Sequence, residues 1–205
     1  MTKSIFIYRL LLLLAVILNF HSLKAQVTIK GSLWDKGIEM ECNWYFKDHL
    51  ACMEMISNEA DGTRIQTRLV MNANTQQLTI VSSTSSGTNY FTLSADSIRP
   101  NQSTPVRFIE SSEVRNFEGF GSCRKMQAKS HTQESLLYYF ENEKINLSLY
   151  TAFLKGDTGF EWLSANTSNG FPVQSITVDA MGNLQRSYIA LSIEEKVDEG
   201  IFIIE

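Results

Sequence analysis

The sequence predicts a mainly β fold: an antiparallel meander curved around its core, with one or two short helices packed on the concave side. Three observations carry this. Ile38, Met40, Cys42, Trp44 and Phe46 alternate with Glu39, Glu41, Asn43 and Tyr45, the period of two that marks a half-buried strand. Strand-like runs then recur at short intervals between turn-rich clusters, and no strand–helix–strand rhythm sets in. The one stretch with helical spacing, Ile145–Ser164, is short and has an apolar side that needs a partner.

Taken in order, the chain opens with a short basic region flanked by Lys3 and Arg9, followed by the apolar run Leu10–Leu18. Nine apolar residues are too few to span a bilayer, which takes about 20. With Ala25 ahead of Gln26, residues 1–25 read as a signal peptide cut after Ala25; an uncleaved N-terminal anchor is the alternative. No cysteine follows the cut, so no lipoprotein anchor is expected, and no later stretch is apolar enough to span a membrane. Residues 26–205 are then one domain, exported to the periplasm or secreted. Removing residues 1–25 takes three of the 18 basic residues and none of the 22 acidic ones, leaving 15 against 22 and a net charge of −7. That balance argues against nucleic-acid binding.

Val27–Trp34 is the first expected strand. Ile38–Ser57 follows as a hairpin turning at Lys47-Asp48, with Ala51, Met53 and Met55 opposite Trp44, Cys42 and Met40 on one apolar face. Cys42 and Cys52 then face opposite sides. A one-residue shift would pair them, but would also set Glu54 against Met40. Further strands are expected at Thr63–Met71, Gln77–Ser83, Tyr90–Leu93, Val106–Ile109, Glu113–Phe117, Cys123–Lys129 and Leu136–Glu141. Glu59–Gly62, Asn72–Asn74, Ser82–Gly87 and Asn101–Pro105 separate them as turns and loops. Val173–Asp179 and Leu184–Ile193 close the chain around Ala180–Asn183, where Gly182 and Asn183 suit positive φ. Phe202–Ile204 is a candidate terminal strand.

Catalytic chemistry finds little to work with. His49 and His131 are the histidines beyond residue 25, and neither has metal-ligand spacing. Gly119-Phe120-Gly121-Ser122-Cys123 lacks the second glycine and the strand–turn–helix context of a serine-nucleophile elbow. Glu39, Glu41 and Glu54 read as a solvated sheet face rather than an acid–base pair. Neither a metal nor a cofactor is expected, and the protein reads as a non-enzyme. Cys42, on the apolar face, reads as a small buried hydrophobe.

Four stretches carry a family resemblance: Tyr45-Phe46-Lys47-Asp48 leading to Met53-Glu54-Met55; Gly119-Phe120-Gly121-Ser122-Cys123-Arg124-Lys125; Gly170-Phe171-Pro172-Val173; and Asp179-Ala180-Met181-Gly182-Asn183. In this order they resemble a family of small exported proteins of unknown function, grouped with the outer-membrane lipoprotein carriers and receptors of the LolA/LolB type. One departure is Cys52, where a basic residue is common before the Met-Glu pair. The resemblance implies an incomplete antiparallel β-barrel with helices on its concave side. Cys123, in a shared motif, is a candidate for a structural disulfide with Cys52 or Cys42 in an oxidising compartment.

Methionines and aromatics crowd into the first hairpin, and flexible thioethers beside flat rings suit acyl chains of varied shape. The expected hydrophobic site is Met40, Trp44, Phe46, Met53 and Met55, with Leu149 and Phe153 of the helical segment closing over it. The bland alternative for each is core packing. The chain therefore reads as an envelope protein binding a lipid, a lipoprotein acyl chain or another hydrophobic ligand; the alternative is a structural module that meets an envelope protein partner through exposed strand edges.

Overall fold

Alternating side chains and tight turns place most of the chain in strands. The structure, a computed structural model, describes residues 26–98, 107–130, 132–150, 152–154 and 170–204. Residues 1–25, the loop at 101–105, His131 and most of the helical segment beyond Leu154 therefore lie outside the described residues.

The described residues form eleven strands: β1 (Gln26–Asp35), β2 (Ile38–Lys47), β3 (Leu50–Asn58), β4 (Arg64–Asn72), β5 (Gln77–Thr84), β6 (Gly87–Ser94), β7 (Arg107–Phe117), β8 (Gly121–Lys129), β9 (Gln133–Glu141), β10 (Gly170–Asp179) and β11 (Leu184–Glu194). They form one antiparallel sheet in the order β6-β5-β4-β3-β2-β1-β11-β10-β9-β8-β7. The sheet curves without closing into a barrel. Its first and last strands, β1 and β11, pair in the middle.

The turns explain where expectation and structure part. β1 and β2 join through Lys36 and Gly37, both at positive φ (49° and 96°), as a two-residue turn between twisted strands favours. β2 and β3 turn at Asp48-His49 rather than Lys47-Asp48, with Asp48 at φ 53°, a region aspartate tolerates. Trp44 consequently faces Met53, Cys42 faces Met55 and Phe46 faces Ala51. A shift of two residues preserves every side chain's face, so the apolar surface is as expected. Ser82–Gly87 is not a loop. Thr84 pairs with Gly87, and the Ser83 and Thr88 hydroxyls hydrogen-bond at 3.0 Å, a cross-strand contact that carries the polar run as strand. Residues 107–109 of the expected strand Val106–Ile109 and the strand Glu113–Phe117 fall together in β7, around a register shift between Glu110 and Val114. In the last hairpin Gly182 takes positive φ and Asn183 does not. Asp179 instead holds that turn, accepting from the backbone of Met181 and Asn183; contacts with Asn183 lower its pKa.

The concave face fills from one end. Trp44 stacks on Phe46 with centroids 6.0 Å apart. Phe171 meets Trp44, Phe46, Phe140 and Tyr188 at 5.6, 5.8, 6.3 and 6.3 Å, all edge-on. Such edge contacts add to the stabilisation from burial alone. Gly31 makes room for this packing: a Cβ there would lie 2.8 Å from the Tyr188 ring and from the Ile189 carbonyl oxygen. Among the described residues of the expected helical segment, Leu147–Tyr150 forms a 3-10 turn. Ile145, Leu147, Tyr150, Phe153 and Leu154 are buried, with Tyr150 6.2 Å from Phe46.

On the convex face the chain end returns over the first hairpin. The Thr28 hydroxyl donates to the Lys196 carbonyl at 2.6 Å, Arg68 donates to the carbonyls of Ile201 and Ile203, and Lys47 pairs with Glu199. Glu199–Phe202 is a 3-10 turn, so Phe202–Ile204 adds no strand. Glu54 is not solvated as expected: it is 5% exposed and accepts from Tyr45 Oη at 2.8 Å, Asn43 Nδ2 at 3.3 Å and Gln66 Nε2. A buried carboxylate held by three donors is an ordinary way to offset its desolvation. Burial, then the Glu54 carboxylate, pushes the Tyr45 hydroxyl up.

Candidate functional site

β2 runs from the filled end of the concave face to the open one. Cys42, Trp44 and Phe46 are fully buried, whereas Met40 is only partly so. Beside Met40 the aromatic packing stops, and a cavity of about 410 Å³ begins. Met53 and Met55 of β3 and Leu69 of β4 form part of its wall. Leu78 and Ile80 of β5, Leu93 of β6 and Ile98 beyond it continue that wall, and Leu33 of β1 and Phe153 complete the apolar lining. Each strand contributes alternate residues, because only every second side chain reaches the concave face.

Two polar residues join them. Asp35 and Arg186 are cross-strand partners in β1 and β11, and both line the cavity. Arg186 Nη2 donates to Asp35 Oδ2 at 3.0 Å.

Four of the seven expected site residues, Met40, Met53, Met55 and Phe153, meet around this cavity. Trp44 and Phe46 do not line it: Phe171 and Tyr150 pack against them and make them core. Leu149 is 41% exposed and is not among the residues that line the cavity. The sequence reading missed Leu33, Leu69, Leu78, Ile80, Leu93 and Ile98. Alternation within β4 and β5 was the available signal. For the Asp35–Arg186 pair, 151 residues apart, there was none.

The thiols form no disulfide. Cys42, Cys52 and Cys123 are all free and buried, on opposite faces in the case of Cys42 and Cys52. The expected bond from Cys123 to either therefore does not form. Burial pushes the Cys42 thiol up to about 12 and the Cys52 thiol higher still, away from the reactive thiolate. Native protein should thus leave Cys42 and Cys52 unmodified by a thiol-specific disulfide reagent, and all three should react once it is unfolded. A Cys42–Cys52 cross-link in a non-reducing peptide map would contradict the hairpin's faces.

Gly119 and Gly121 both sit at positive φ in the β7–β8 turn, and the Ser122 hydroxyl donates to Asn116 Oδ1 at 2.8 Å. This motif is a hairpin turn. Among the described residues no cluster of three or more His, Cys, Asp or Glu is placed to hold a metal ion, and no helix is long and apolar enough to cross a membrane.

No protein-family model matches the chain, and no curated protein matches it. Solved structures similar to it include PNGF-II, at 10% identity and a TM-score of 0.48 over 86% of this chain. MucB is similar at 12% and 0.36 over 88%, and a DUF1329 family protein from Desulfovibrio piger at 8% and 0.36 over 93%. The chain spans 29% of the PNGF-II chain, 57% of MucB and 94% of the DUF1329 protein. At these identities and TM-scores the likenesses assign neither a family nor an activity.

Proposed function

We propose that this protein is a non-enzymatic, exported binder of a hydrophobic ligand, an acyl chain of a lipid or lipoprotein, seated in the cavity at the Met40–Met55 end of the concave face. The observation that supports it is the cavity itself: about 410 Å³, within the size range of small-molecule sites, which are mostly apolar with a few polar groups. Methionine side chains adapt to such chains at little cost. A relation to the LolA/LolB-type carriers, carried by the four motifs, and residence in the periplasm or outside the cell belong to the same proposal.

A second reading rests on a different surface. Ile176, Ile189 and Leu191 are 38, 41 and 64% exposed on β10 and β11, and an exposed apolar group of this kind suits a protein partner.

Thermal melts with single-chain amphiphiles separate the two. Ligand at about 100 times its Kd should stabilise the fold by roughly 2.7 kcal/mol. No shift with any acyl ligand would leave the interaction module in front.

A further inference from the structure

We propose that the cavity selects a single-chain amphiphile with a neutral headgroup that both donates and accepts a hydrogen bond, read by the Asp35–Arg186 pair. This rests on the ligand-binding reading above and goes on to name the class of ligand.

Asp35 and Arg186 are the two charged residues among those lining the cavity. Because they are direct neighbours across β1 and β11 and paired at 3.0 Å, the polar end of the site carries no net charge. The pairing uses Oδ2 of Asp35 and Nη2 of Arg186. Oδ1 of Asp35 and Nε of Arg186 are left buried with no hydrogen-bond partner. Such atoms are uncommon in native proteins and point to a group still to be accommodated. One is an acceptor and the other a donor.

An anionic headgroup fits this pair poorly. A carboxylate could accept from Arg186 Nε, but it would meet the Asp35 carboxylate alongside, and like charges at close range disfavour one another. Drawing Arg186 away instead would leave Asp35 as an uncompensated charge in a mostly apolar site, the costly way to break an ion pair. A cationic head meets the same objection from Arg186. A hydroxyl or primary amide supplies one donor for Oδ1 and one acceptor for Nε and brings no charge. Both atoms are shielded from solvent in the unliganded pair, so the headgroup reaches them through a rotamer change of the kind common on binding.

The test compares 1-decanol with decanoate at pH 8, two ten-carbon amphiphiles, by displacement of an apolar fluorescent probe from the protein lacking residues 1–25. Wild type should bind decanol at least tenfold tighter. Because ionised decanoate is also the better hydrated of the two, the variants carry the argument. Asp35→Asn leaves the Arg186 charge unneutralised and should shift the decanol-to-decanoate ratio at least tenfold toward decanoate. Arg186→Gln should shift it at least tenfold the other way, so either variant decides if the other fails to fold. Decanoate binding wild type as tightly as decanol, or ratios that stay the same in a folded variant, would overturn the headgroup assignment alone. Failure of both amphiphiles to displace the probe from wild type would overturn the ligand-binding reading on which it rests.

Discussion

Phe171→Ala should lower the stability of the domain by about 3–5 kcal/mol, the usual range for removing a fully buried phenylalanine. Phe171 is fully buried and makes edge contacts with four other rings, from β2, β9 and β11. Truncation removes those contacts together, and residues drawn from several strands of one sheet cannot easily collapse into the space. Urea unfolding measures it: the midpoint should fall with little change in slope. In a domain of this size the melting temperature should drop by on the order of 10 °C. A loss below about 1 kcal/mol would mean that the aromatic cluster is not the centre of the core.

Met55→Trp should abolish ligand-linked stabilisation while the fold persists. Met55 is partly buried and lines the cavity, so a larger side chain there has room to enter the ligand's space. Overpacking costs typically 1–3 kcal/mol, whereas the ligand contribution that disappears is roughly 2.7 kcal/mol at 100 Kd. Melts with and without an acyl ligand separate the two, since the first effect appears in both and the second only with ligand. Leu149→Ala is the matched control. Because Leu149 does not line the cavity, that variant should keep the full ligand shift. A Met55→Trp protein that still gains stability from ligand would place binding elsewhere.

How far local pattern reaches is clear at particular residues. The alternation in Ile38–Phe46 identifies the concave face correctly even though the turn lies one residue further along the chain, because strand pairing two residues out of register keeps each side chain on its face. The same logic brings Met40, Met53 and Met55 together. It cannot say which end of that face is filled. Trp44 and Phe46 become core because Phe171 and Tyr150, more than a hundred residues away in sequence, pack on them. Leu149 lies in a 3-10 turn and outside the cavity lining. Glu54 reads as surface because alternation sets it outward. The returning chain end at residues 195–203 then covers the hairpin's outer face, where Arg68 holds it through two carbonyls. The Trp44, Phe46 and Glu54 outcomes are contacts between distant segments, which no local period records.

Native mass spectrometry of the protein purified from its own envelope bears most directly on the proposed role. It should find the polypeptide beginning at Gln26 and carrying one single-chain lipid or acyl group, with the Met55→Trp protein free of it. Protein that flies without any lipid under conditions that preserve a known lipid-binding control, or that instead brings a stoichiometric protein partner, would contradict the ligand-binding account.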